Sequence, residues 1–132
     1  MKRLSMSSLA LIGVLFVAST ALAQDGNATK ELATARTHAQ LAAASQSVAV
    51  AKLHLHHVIN CLVGPHGKGF DTAAGNPCKG LGDGAETDAR NDRMSMTQVT
   101  HALAYARRGV AAKDLAAVHK AASGVVQSIG GG

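Results

Sequence analysis

The chain has 132 residues, a formal charge of +5, and an aromatic content of 2%: one Tyr, two Phe and no Trp. It carries seven histidines and two cysteines. There is no basic run, and cations alternate with acids as in Arg90-Asn91-Asp92-Arg93. A nucleic-acid reader needs a clustered basic face, and an RNA reader often adds stacking aromatics, so the composition excludes both.

Lys2 and Arg3 precede an apolar stretch, Leu9 to Ala18, and then Ala21-Leu22-Ala23, a small-residue cleavage pattern. Together these predict a secretory signal peptide over 1–23. The apolar run is short for a spanning helix of about 20 residues. That disfavours the competing reading, an uncleaved membrane anchor, and no membrane span is expected after cleavage. The mature chain is then 24–132, one domain with one modest core, periplasmic or secreted. Loss of Lys2 and Arg3 takes its charge from +5 to +3.

From Ala28 to Val63 there is neither Gly nor Pro, and Ala, the best helix former, dominates. Ala28, Leu32, Ala35, Ala39 and Ala42 form an apolar stripe at helical spacing, as do Val48, Ala51, Leu55, Val58 and Leu62. The two stripes do not share a register. The segment is therefore predicted to break at Ser45-Gln46-Ser47 into two helices, against the alternative of one long helix. Asn27 is the expected N-cap, with Glu31 in the first turn.

Gly64 to Gly84 holds seven of the 14 glycines and both prolines. A structureless segment of this length in a small domain needs a staple or a function. In an exported chain the two cysteines are read as a disulfide, Cys61 to Cys78. Closing that loop is worth about 3 kcal/mol on the chain-entropy model. After Asp83 two further stripes follow: Met96, Val99, Leu103, Ala106, Val110, and then Leu115, Val118, Ala122, Val125, Ile129. Gly109 is expected to mark the turn between them. The fold class is all-α, a four-helix bundle of two helical hairpins joined by a long Gly-rich loop with one disulfide.

A weak internal repeat links the hairpins. Thr37-His38-Ala39 recurs as Thr100-His101-Ala102, and His56 or His57 then corresponds to His119. His54, His57 and Cys61 fall at i, i+3 and i+7, on one helix stripe, where two imidazoles reach a single ion. The metal-ligand candidates are His54, His57, His38, His101 and His119, with His56 and Met94 as additional ones. Imidazole with thioether suits copper in an oxidising compartment, and zinc or nickel are the other options. Were both thiols reduced, Cys61, Cys78, His54 and His57 would make a tetrahedral zinc set; export argues against that state. Chelation by neutral imidazoles should weaken below about pH 6.5, where free histidine protonates.

The absence of C-x-x-C-H, H-E-x-x-H, G-x-S-x-G and a P-loop leaves no nameable catalytic constellation, and no enzyme activity is expected. A competing function is a non-catalytic envelope module that docks a protein partner through loop 64–84, with Phe70 and Leu81 exposed.

The stretches Thr37–Val58 and His101–Val126, less than half of the chain, resemble the periplasmic small metal-binding proteins. That resemblance implies a four-helix bundle that binds copper and other divalent metals for buffering or scavenging. Such proteins are richer in His and lack a Cys-bearing insert like Gly64–Gly84, which points to a separate role for the loop.

Overall fold

The computed structural model describes the backbone from Ser19 to Gly130 and the side chains from Asn27 to Gly130. Of the signal peptide expected over 1–23, residues 1–18 lie outside the described residues. Five helices occur in the order α1 (Ser19–Ala44), α2 (Val48–Val63), α3 (Ala85–Asp88), α4 (Arg93–Ala111) and α5 (Leu115–Gly130), and no strand is present among the described residues. No helix among them is long and apolar enough to cross a membrane.

The break at Ser45–Ser47 is present, and α1 pairs with α2 as a hairpin. Helices α4 and α5 form the second hairpin, and α1 and α2 also pack against α5 and α4. The four predicted stripes make the core. All five positions of the first are buried, as are Ala51, Leu55, Val58 and Leu62 of the second. Val99, Leu103 and Ala106 of α4 and Val118, Ala122 and Val125 of α5 are buried in the same core, while the stripe ends Met96, Val110, Leu115 and Ile129 are only partly covered. These side chains are small, so the helices must approach closely for burial to add up.

Three expectations are corrected. Helix α1 already runs through Asn27, so Asn27 is no N-cap; Ala21, Leu22 and Ala23 are helix formers that carry the helix upstream. Gly109 is not a turn. It is buried inside α4, which continues to Ala111, and a side chain there would collide with Leu55 and Ala121. The missing side chain lets the helices approach closely there, and the turn falls at 112–114 instead. Phe70 and Leu81 are not exposed anchors: both pack against the hydrophobic core. The loop thus turns its apolar side chains inward, and the docking alternative loses the groups proposed to carry it.

Gly64 ends α2 with φ of 72°, a left-handed conformation that favours glycine, and its N–H bonds Asn60 O. Cys61 and Cys78 form the disulfide, with Cα atoms 5.2 Å apart and both residues buried. Asp92 caps α4 by accepting from the N–H groups of Met94 and Ser95, which leaves the Met94 side chain exposed.

Glu31 is buried at 1% exposure, within α1 and not in its first turn. It accepts from Gly84 N–H at 2.9 Å through Oε1, whereas Oε2 is buried without a partner. Burial pushes its carboxyl up to about 7; the Gly84 bond opposes this, and the neighbouring Asp88 and Asp83 carboxylates add to it. Glu31 is thereby kept protonated through mildly acidic pH and fastens the end of the Gly-rich loop to α1.

Candidate metal centre

The turn at 45–47 decides which histidines meet. His38 lies six residues before α1 ends at Ala44, and His54 lies six residues after α2 begins at Val48. In an antiparallel hairpin such positions face one another. His57 is one turn further on the same side of α2. The three rings converge: centroids are 5.4 Å apart for His38 and His54, 4.7 Å for His38 and His57, and 5.8 Å for His54 and His57. All three residues are half-buried, and they are the only group of three or more potential ligands found together among the described residues.

The nitrogens, not only the rings, point inward. His38 Nδ1 is 3.2 Å from His54 Nδ1 and 3.3 Å from His57 Nδ1. His57 Nε2 is 2.7 Å from the carbonyl oxygen of Ala74. A carbonyl only accepts, so Nε2 carries the proton, and in the neutral ring Nδ1 then presents a lone pair.

That tautomer creates a conflict. If His38 Nδ1 is protonated it donates to one neighbour only. If it is unprotonated its lone pair faces that of His57. One of the two close contacts is therefore always unsatisfied while all three rings are neutral. A cation at the focus resolves it by accepting all three lone pairs. The spacing agrees: two nitrogens at tetrahedral angles on a metal with bonds of about 2.0–2.1 Å lie roughly 3.3 Å apart.

The electrostatics also favour neutral ligands. Burial, with the rings of His57 and His54 adding repulsion, pushes His38 down to about 4. Burial and His57 lower His54 as well. Protonation of His38 is thus delayed well below the pH 6.5 of a free imidazole, so the expected loss of its ligand capacity near that pH does not hold for this group.

The loop supports the site from behind. Asn60, fully buried, donates through Nδ2 to Asp71 O at 2.7 Å and Gly75 O at 2.6 Å, and its Oδ1 accepts from Asp71 N–H at 2.8 Å. Asp71 Oδ1 accepts from Ala73 N–H at 2.9 Å. These bonds place the Ala74 carbonyl over His57.

The other candidates stand elsewhere. His56 pairs with Asp71 Oδ2 at 3.1 Å, on the loop side of α2. His119 donates from Nε2 to Ser45 O at 2.7 Å and so closes the end of α1. His101 is exposed on α4, Met94 is exposed at the start of α4, and His66 is exposed in the loop. Among the described residues no further His, Cys, Asp or Glu joins the three imidazoles, and the disulfide removes both thiols from ligand duty. Asn60 was not singled out from the sequence. The available signal was an Asn inside an apolar helix end, directly before the stapling Cys61.

Comparison with protein-family models, with curated proteins and with solved structures found no match.

Proposed function

We propose that this protein binds one transition-metal ion through Nδ1 of His38, His54 and His57, and that it serves to buffer or scavenge that metal outside the cytoplasm. The observation that carries this reading is the pair of Nδ1···Nδ1 separations, 3.2 and 3.3 Å, in a cluster whose His57 tautomer is set by Ala74. Three neutral imidazoles suit copper, zinc and nickel, and copper is favoured because it heads the divalent affinity order. With no fourth His, Cys, Asp or Glu in the cluster among the described residues, a position is left for water or an exogenous group, as an exchangeable store requires.

The pairing of two hairpins is read as a four-helix bundle, in keeping with the resemblance to the periplasmic small metal-binding proteins. Export rests on the 1–23 signal pattern and on the disulfide.

Calorimetric titration of the disulfide-intact protein with Cu(II), Zn(II) and Ni(II) tests the reading. One ion per chain at micromolar affinity or tighter is expected for at least one metal. Millimolar affinity for all three would refute it.

A further inference from the structure

The stapled loop and the three-histidine cluster share one helix. Cys61 follows Asn60, and Asn60 follows His57 by three residues. The segment Asp71–Gly75 is fixed on that helix by Asn60, by His56 with Asp71, and by His57 with Ala74. Downstream, Cys78 pins the same loop to α2. The loop is rich in glycine, so its own sequence does little to hold this conformation.

We propose that the Cys61–Cys78 disulfide is a latch on the metal site: the oxidised protein holds metal tightly, and reduction of the disulfide loosens it. The proposal rests on the three-histidine reading above. A partner that orients a ligating histidine from its far nitrogen fixes tautomer and ring direction, and its loss costs 10- to 100-fold in metal affinity. Here that partner is the Ala74 carbonyl, a backbone group whose residue has only a methyl side chain and no polar group to anchor it. The loop must therefore be held from elsewhere, and Asn60 and the disulfide do so.

The redox step is thiol–disulfide exchange with a dithiol reductant. A reductant thiolate attacks one sulfur, the Cys61–Cys78 bond breaks, and a mixed disulfide forms. The second reductant thiol resolves it. Two electrons and two protons pass to the protein, leaving two Cys thiols and the reductant's own disulfide. Without the covalent tie the loop is held to α2 only by Asn60, by His56 and by the packing of Phe70 and Leu81. His57 Nε2 is then less firmly engaged by its acceptor, and Nδ1 less firmly held as a lone pair towards His38 and His54. Asn60 is a positioning residue in this scheme.

The test uses zinc as probe and a chromophoric competing chelator. The variants are Cys61→Ala/Cys78→Ala, which mimics release without adding thiolate ligands, and Asn60→Ala with the disulfide intact. Helix content is followed by circular dichroism, and the His57 tautomer by ¹⁵N chemical shifts of the metal-free protein. The expected result is a 10- to 100-fold weaker zinc affinity in both variants, with helix content retained and His57 shifted to mixed tautomers. Wild-type zinc affinity in Asn60→Ala would overturn the latch, as would wild-type affinity in a folded cysteine-free variant. Should the cysteine-free variant lose its helices, Asn60→Ala with the tautomer readout decides alone. Failure of the wild-type protein to bind zinc, copper or nickel would instead remove the metal reading itself.

Discussion

The two hairpins are built alike, and only one gathers histidines. Each has a three-residue turn, at 45–47 and at 112–114. Each carries a Thr-His-Ala in its first helix and a histidine 18 or 19 residues later. In the first hairpin His38 and His54 are each six residues from the turn and meet. In the second, His101 is ten residues before the end of α4 and His119 only four after the start of α5, so they do not face one another. The positions that match His38, His54 and His57 by distance from the turn are Tyr105, Ala121 and Gly124. There the Tyr105 ring lies against Gly124, where any side chain would strike it. One corner is filled by three small polar rings, the other by one large ring on a glycine. Spacing along the chain is therefore a poor guide to shared sites, and distance from the turn is a good one.

The largest effect separating the hairpins should be on metal affinity. His38→Ala, His54→Ala and His57→Ala should each weaken Cu(II) or Zn(II) binding by more than about 100-fold, beyond the 10- to 100-fold of a supporting group. His101→Ala and His119→Ala should leave it unchanged in the same calorimetric titration. Equal losses in both hairpins would dissolve the comparison.

The pH dependence of stability should also reside in the first hairpin. Glu31 has a raised carboxyl, so its contribution is fully present below about pH 4.5 and is lost as pH rises through about 7. The full shift corresponds to at most about 3 kcal/mol. His38 is depressed, so its contribution is present above about pH 6.5 and is lost as pH falls through about 4. Urea unfolding of the metal-free protein from pH 4 to 8 should show that Glu31→Gln removes the loss on the alkaline side and His38→Asn the loss on the acid side. Profiles parallel to wild type in both variants would contradict these assignments.

In the second hairpin the effect should be steric. Gly124→Ala should destabilise by about 1–3 kcal/mol, through collision with Tyr105, and outweigh the better helix propensity of alanine. Urea midpoints measure it, and metal affinity in the folded protein should be untouched. The smallest effect is expected for His119→Ala, which loses its bond to Ser45 O and should cost about 1 kcal/mol.

Much of this arrangement is legible before any coordinates. The four apolar stripes and the break at Ser45–Ser47 follow from periodicity and register, and the disulfide from the pairing expected of two cysteines in an exported chain. What escapes is set by contacts between elements. Gly109 looks like a turn because glycine usually punctuates, yet its neighbours Leu55 and Ala121 come from other helices. Glu31 looks like a first-turn acid, yet its partner Gly84 lies 53 residues away. The sequence marks His38, His54 and His57 as ligand candidates, but it marks His101 and His119 as well. The repeat ranked them together because it aligns sequence and ignores the offset from each turn. Asn60 drew no notice because what it binds is loop backbone, which no side-chain pattern reveals.

The central claim is that three Nδ1 atoms hold one ion. Side-chain ¹⁵N spectra of the disulfide-intact protein, recorded during titration with Zn(II), test it most directly. Nδ1 of His38, His54 and His57 should shift together and saturate at one equivalent, while His101 and His119 do not move. Shifts spread over all the histidines, or Nδ1 signals of the three that stay in place past one equivalent, would contradict it.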